Sequence, residues 1–241
     1  MGLDRVQRDW ECYASTDPFW AILTDPSRKN GGWDESAFFE TGRQEVADLL
    51  EYLGSLGLHL QRGSALDFGC GVGRLSRALA TCFDEVVGLD ISPTMISLAR
   101  EHNSCLPNCT FLQNPGPDLP AVRGRKFDLI YSSITLQHMP PRYSRQYLRN
   151  FLRLLAPHGL LVFQLAGESR RSLGNRVLRT LYNEIYRRRM LKDEPPWMDV
   201  YGIPKHRVIA LLEREGARVL DVQPNDSAGP EWTSYRYAVR L

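Results

Sequence analysis

The chain has no apolar run long enough to span a bilayer, which takes about 20 consecutive apolar residues. It also lacks the charged-then-apolar opening of a secretory leader, so a soluble, cytoplasmic protein is expected. Neither charge sign is in excess: 30 basic against 28 acidic residues leave a net charge of +2. Such a balance points to neither nucleic acid nor a membrane surface as a partner. Cysteine is sparse and odd in number. Cys12, Cys70, Cys82, Cys105 and Cys109 read as free thiols rather than a disulfide framework. Cys105 and Cys109 have no second ligand pair, so a structural role is favoured over a zinc site. There is no repeat and no low-complexity tract. At 241 residues the chain suits one domain with a full core, with room for additions.

What is present centres on the stretch from Ser64 to Asp90. A short apolar run, Ala65-Leu66-Asp67-Phe68, breaks into Gly69-Cys70-Gly71-Val72-Gly73. A helical pattern follows with Leu75, Ala78 and Leu79 on one face, then a second apolar run, Val86-Val87-Gly88-Leu89, ending on Asp90. Strand, glycine turn, helix, strand and acid make the first half of a nucleotide-binding βαβ unit. Glycines without Cβ let the backbone approach a ligand closely. The helix N-terminus turns unpaired N–H groups to the same crevice. An acid at the tip of the second strand accepts the hydroxyl hydrogens of a ribose. The dinucleotide fingerprint G-x-G-x-x-G is broken, because Arg74 stands where its third glycine belongs, and this disfavours an NAD reader. A ligand-free βα turn is the plain structural alternative.

The block LDFGCGVGRLS, followed by VVGLDIS, resembles the class I S-adenosylmethionine-dependent methyltransferases, of the group acting on small molecules. The resemblance spans about residues 40–241 apart from an insertion, and implies a seven-stranded, mostly parallel, Rossmann-like α/β sheet. Helices cover both faces, and the last strand is antiparallel. It implies S-adenosylmethionine as cofactor and S-adenosylhomocysteine as product. Asp67 and the turn of Gly69, Cys70, Gly71 and Gly73 face the methionine part, and Asp90 holds the ribose. Ile91, Met95 and Ser132 complete the expected set. Many members carry Gly-Asp where this chain has Asn114-Pro115, so Asn114, Gln113 or backbone groups replace the acid that usually meets the adenine amino group.

Taken in order, residues 1–40 form an aromatic N-terminal cap rather than a strand, with Tyr13, Trp20 and Trp33 among turn residues. These rings either wall the acceptor site or pad the core. An amphipathic helix is expected from Thr41 to Leu56, and the methyltransferase domain over 41–241. Later strands are expected at Cys109 to Gln113, Phe127 to Ser132, Gly159 to Ala166, Val219 to Val222 and Tyr235 to Val239. Residues 167–203 interrupt the alternation as a lid insertion. It has an apolar stripe flanked by arginines and a stiff return carrying Trp197 and Tyr201. The stripe has three candidate partners: the acceptor, the N-terminal aromatics, or a second subunit in a homodimer. A solvated basic helix packed on the core is the plain alternative.

His138 follows the fourth strand at the carboxyl rim, where ligands bind in open α/β sheets. It is the candidate general base, set against a packing role in the next helix. Tyr13, Trp20, Trp33, His138, Trp197 and Tyr201 form the expected acceptor-side set. After the fourth strand there is no Asn-Pro-Pro-Tyr, no Pro-Cys and no acidic cluster for magnesium. Members of the resembling family that act on base amines, on cytosine C5 or on catechols usually carry these, so what the resemblance implies is metal-independent methyl transfer to an O, N or C atom of a small molecule. A protein of the same fold that binds the cofactor without methylating, and a nucleotide-fold oxidoreductase, are the competing classes.

Overall fold

The computed structural model describes residues 2–170 and 198–241. Seven strands form one sheet: β1 (Ser64–Phe68), β2 (Glu85–Asp90), β3 (Cys109–Gln113), β4 (Phe127–Ser132), β5 (Leu155–Ser169), β6 (Arg218–Pro224) and β7 (Trp232–Arg240). Their spatial order is β3-β2-β1-β4-β5-β7-β6. The pairs β1–β2, β1–β4, β2–β3 and β4–β5 are parallel, while β7 runs antiparallel to both β5 and β6. This is the mixed α/β sheet expected, with the last strand inserted against the others. The order reverses at β1, so the crevice for a ligand opens above the β1 and β4 ends. β4 is buried along its whole length, and so is the nearly continuous apolar stretch from Gly159 to Ala166 in β5, as central strands covered on both faces should be. On β5 and β7 the Phe163 and Tyr237 rings face each other across the ladder and stack at 4.8 Å.

Helices α3 (Glu35–Ser55) and α4 (Arg74–Leu79) cover one face, packing Val46, Leu49, Leu53, Leu75 and Leu79 with Val86 and Leu129 of the sheet. On the other face, α6 (Pro141–Leu154) and α7 (Lys205–Arg214) bring Leu148, Phe151, Val208 and Leu212 onto Leu66, Ile130 and Phe163. Helix α5 (Pro93–His102) starts on Ser92, whose hydroxyl accepts from the Met95 N–H, with Pro93 in the first turn. A polar N-cap followed by proline is a strong start signal.

Several boundaries differ from expectation. Helix α3 starts at Glu35, not Thr41, because the Asp34 carboxylate accepts from the Ala37 N–H and caps it. The boundary drawn between residues 40 and 41 therefore falls inside this helix. Strands β5, β6 and β7 are all longer than the apolar runs that announced them. Ladder pairing extends past the apolar residues, through Ser169 with Trp232 on one side and Pro224 with Tyr235 on the other. The N-terminal cap is helical: α1 (Leu3–Thr16), α2 (Pro18–Ile22) and a 3-10 turn, Pro26–Arg28. Among the described residues no helix is long and apolar enough to cross a membrane. No group of three or more His, Cys, Asp or Glu side chains gathers as a metal site there either, and all five cysteines are free. Most of the expected lid, residues 171–197 including Trp197, lies outside the described residues.

Candidate cofactor and acceptor cleft

β1 ends in a turn that folds over the tip of β2. The Gly69 and Cys70 N–H groups both donate to the Leu89 carbonyl, at 2.7 and 3.0 Å. Gly69, Gly71 and Gly73 all have positive φ, a region that L side chains rarely enter. A Cβ on Gly69 would overlap the Thr135 side chain, and one on Gly71 would sit 2.5 Å from Ile22 Cδ1. A Cβ on Gly73 would instead meet Asn103 and Phe111. The first two glycines thus let the cleft-lining side chains of Thr135 and Ile22 close against the turn, whereas Gly73 serves the packing of α4.

The turn forms one wall of a cleft of about 900 Å³, its open mouth included. Of the expected cofactor residues, Gly69, Cys70, Gly71, Asp90, Ile91, Met95 and Asn114 line it, together with His138. Asp90 is one of its charged lining groups. Its carboxylate accepts from the Gly71 N–H at 2.9 Å and from the Ser92 N–H at 2.9 Å. Burial raises its pKa above the usual carboxylate range, and backbone N–H groups of Ser92, Gly71 and Ile91 oppose that shift. A carboxylate offers about four acceptor sites, so capacity is left for a ligand's hydroxyls.

Asn114 is nearly inaccessible, and its Nδ2 donates to the Gly116 carbonyl at 2.8 Å and the Tyr147 hydroxyl at 3.2 Å. Its Oδ1 is buried without a partner. An unpaired buried acceptor costs about 1–3 kcal/mol, and a ligand amino group would relieve it. Asn114→Ala should weaken S-adenosylhomocysteine binding about three- to tenfold, the worth of one neutral hydrogen bond. Titration calorimetry reads this directly, and equal affinity in the folded variant rules out a ligand contact by Oδ1.

The remaining expected cofactor residues stand elsewhere. Gln113 is exposed, and its amide donates to the Ile91 carbonyl at 3.2 Å. Ser132 donates to the Phe68 carbonyl at 3.1 Å, and its neighbour Ser133 reaches the cleft instead. Asp67 does not line the cleft; it is buried, accepts from the Ser76 hydroxyl at 2.6 Å, and leaves Oδ1 without a partner. Burial pushes its pKa to about 7, against the Ser76 hydrogen bond and Arg74, with Glu45 and Asp90 adding to the rise. A carboxyl whose folded pKa is raised binds more protons in the native state. Stability therefore falls as pH rises from the ordinary value of 3.8 to about 7. Asp67→Asn should flatten this slope, seen as a smaller drop in melting temperature between pH 5 and pH 7.5. An identical pH dependence in the variant would show that Asp67 ionises freely.

Arg74 lines the cleft beside the glycine turn. Its guanidinium binds Glu45 at 2.6 Å and the Thr41 hydroxyl at 3.3 Å. Glu45 also accepts from the Tyr131 hydroxyl at 2.8 Å. Burial raises the Glu45 pKa, but Arg74 and the hydrogen bonds outweigh it and hold the carboxyl below its usual range.

The cap closes the opposite wall. Leu3, Val6, Trp10, Ala21 and Ile22 face the cleft. The Glu11 carboxylate pins α1 to the start of α5, accepting from the Ser92 hydroxyl at 2.6 Å and from the Thr94 hydroxyl and N–H. Burial raises the Glu11 pKa, yet these bonds leave it below the usual range. Trp20 and Trp33 do not line the cleft. Their indole N–H groups donate to the Asp25 and Leu23 carbonyls, and Lys29 and Arg28 lie over their rings. Trp10 takes the wall position, edge-on to His138 at 5.4 Å. The signal for it was a helical stripe, Leu3, Val6, Trp10 and Tyr13, at spacings of three and four. Arg74 and Glu11 carried no comparable signal.

His138 closes a 3-10 turn, Leu136–His138, directly past β4. It lines the main cleft and also a side pocket of about 270 Å³ shared with Val6, Asp9, Trp10, Tyr13, Met198 and Asp199. Nδ1 lies 2.9 Å from the Asp199 carbonyl and Nε2 lies 3.3 Å from the Gln137 amide nitrogen. Burial lowers its pKa below 6.5, while the Asp199 carbonyl bond and the Asp199 charge oppose that shift. Tyr13 reaches only the side pocket. Tyr201 stands behind His138, its N–H donating to the Gln137 carbonyl at 2.7 Å and its hydroxyl to the Asp199 carboxylate.

Residues 65–159 match the family model described as a methyltransferase domain. An uncharacterised methyltransferase from Synechocystis is 35% identical over 95 residues, 39% of this chain and 43% of that protein. The trans-aconitate 2-methyltransferase of Methylobacterium radiotolerans is 32% identical over 135 residues, 55% of this chain and 49% of that protein. The chain thus spans about half the length of these curated relatives. The crystal structure of magnesium protoporphyrin IX methyltransferase from Synechocystis with bound SAH has a similar fold. Its TM-score is 0.64 at 21% identity, over 99% of this chain and 100% of that one.

Proposed function

We propose that this chain, a member of the class I S-adenosylmethionine-dependent methyltransferases, moves the cofactor's methyl group to an O, N or C atom of a small-molecule acceptor. The observation that carries the reading is the cleft itself. The glycine turn, the Asp90 carboxylate and the unpartnered Asn114 oxygen share one crevice with His138. These groups suit the cofactor by chemistry. Asp90 offers charged acceptor capacity to ribose hydroxyls, and Asn114 Oδ1 offers an acceptor to the adenine amino group.

When bound, the cofactor supplies a methyl group already activated by its sulfonium. The protein's share is to hold an acceptor in line with it and to exclude water. Such positioning is worth roughly 7–11 kcal/mol of barrier. Leu3, Val6, Trp10, Ile134 and Met139 surround the His138 side of the cleft with apolar surface, which supports an apolar acceptor. His138, neutral above its lowered pKa, receives the proton of an acceptor O–H or N–H. The reading uses no metal.

The test has two arms. Calorimetry with S-adenosylhomocysteine should show binding, with NAD(H) and NADP(H) as controls. Labelled S-adenosylmethionine with a panel of neutral aromatic and aliphatic alcohols, phenols and amines should show label moving to an acceptor. Binding without turnover across a broad panel would support the cofactor-binding protein that does not methylate. Binding of the nicotinamide cofactors alone would support the oxidoreductase.

A further inference from the structure

Behind His138 lies a line of buried amides that the sequence did not announce. Gln137, Gln164 and Ser234 are each at most 4% exposed, and none of them lines the cleft. The Ile134 N–H donates to Gln164 Oε1 at 3.2 Å. Gln164 Nε2 donates to Gln137 Oε1 at 2.9 Å and to the Ser234 hydroxyl at 2.6 Å. Ser234 in turn donates to Asn225 Oδ1 at 2.8 Å. Gln137 Nε2 then lies 3.3 Å from His138 Nε2, and His138 Nδ1 lies 2.9 Å from the Asp199 carbonyl.

The direction of every bond follows from the two backbone ends. A backbone N–H can only donate, so Gln164 must turn its oxygen to Ile134 and its NH₂ to Gln137. Gln137 must then present its own oxygen to Gln164 and its NH₂ to His138. At the other end the Asp199 carbonyl can only accept, so it calls for a proton on Nδ1. Both ends demand the same tautomer. Amide and imidazole orientations are set by such networks rather than seen directly, and here two independent termini agree.

We propose that Gln137, oriented by Gln164, is a positioning residue that holds His138 as the Nδ1–H tautomer with its lone pair on Nε2. This rests on the methyl-transfer reading only for its use: the proton given up by an acceptor O–H or N–H moves to Nε2, and its bonding pair stays on the acceptor atom. At 3.3 Å the Gln137 contact is a long hydrogen bond, so a better-placed donor displaces it. Gln137 offers only N–H groups to Nε2, and so opposes the imidazolium. The other ionisable groups around the side pocket are Asp9 and Tyr13 from α1 and Asp199 from the returning segment. Arg74, Asp90 and Tyr147 line the main cleft.

The test is ¹⁵N NMR of the His138 ring in the full chain, with no acceptor or cofactor added. The wild type should show a protonated Nδ1 and a bare Nε2 at pH 7.5. Gln137→Glu places a carboxylate where the amide donor stood. It should move a proton onto Nε2 and raise the His138 pKa by at least one unit, with S-adenosylhomocysteine affinity within twofold of wild type. Gln137→Met removes the donor without adding charge, and should raise the pKa by less. A bare Nδ1 in the wild type overturns the proposal, as does a His138 pKa that moves in neither variant. Should Gln137→Glu fail to fold, Gln137→Met alone decides. These signals need no turnover, so they stand or fall apart from the methyl-transfer reading, which the labelled-methyl screen tests.

Discussion

Asp90→Ala should weaken S-adenosylhomocysteine binding roughly 10- to 100-fold. Hydrogen bonds to a charged group are worth about 1.5–3 kcal/mol, and each 1.4 kcal/mol is tenfold in affinity. The carboxylate sits where β2 leaves the sheet, and it ties the glycine turn to the start of α5 through the Gly71 and Ser92 N–H groups. Its removal therefore takes away the acceptors proposed for the ribose and also leaves two donors in the crevice wall unsatisfied. Asp90→Asn keeps an oxygen acceptor and should lose less. Calorimetry on variants with native circular dichroism separates the cases. Unchanged affinity in a folded Asp90→Ala protein would remove Asp90 from the site.

The sheet was legible because its strands are short apolar runs cut by glycine, proline and asparagine. The stretch from Gly159 to Ala166 in β5, buried throughout, is such a run. The glycine turn and Asp90 were legible for a different reason: chain reversal over β2 requires residues that tolerate positive φ, and Gly69, Gly71 and Gly73 all have it. Which glycines meet cleft-lining side chains was not legible. Gly69 and Gly71 face Thr135 and Ile22, while Gly73 faces Asn103 and Phe111, a distinction set by tertiary neighbours. Arg74 entered the sequence argument only as a missing glycine. The fold gives it a pairing with Glu45, which the sequence places on a helix far upstream.

The aromatics show the limit most clearly. Tyr13, Trp20 and Trp33 were the candidates from the cap, and Trp10 was not among them. Trp20 and Trp33 are held by carbonyls of their own segment, at Asp25 and Leu23. Trp10 lies on a fourteen-residue helix whose Glu11 reaches the hydroxyls of Ser92 and Thr94. That long-range tie decides which ring meets the cleft, and no local pattern encodes it. The same holds for Asp67. An acid beside the glycine turn reads as a ligand group, yet its side chain turns to Ser76 on α4.

His138→Ala should lower kcat about 10²-fold, the lower end of what a positioned general base contributes, for an acceptor identified by the labelled-methyl screen. Affinity for S-adenosylhomocysteine should change less than threefold, since the ring's own contacts are to Trp10 and the Asp199 carbonyl, and the proposed ribose acceptor is Asp90. The pH dependence sharpens the test. Burial lowers the His138 pKa below 6.5, so the wild-type ring is neutral at pH 7.5 and kcat should fall only on the acid side of 6.5. In His138→Ala that acid limb should vanish. Stability moves by the same linkage. A histidine whose folded pKa is depressed charges more readily in the unfolded chain, so its contribution is present above 6.5 and is lost as pH falls from 6.5 to the lowered folded value. A purely packing role would therefore appear as lower thermal stability, with kcat at pH 7.5 kept within a few-fold when assayed at low temperature. That outcome would make the ring a strut between Trp10 and the Asp199 carbonyl, and would leave proximity within the cleft as the source of the rate.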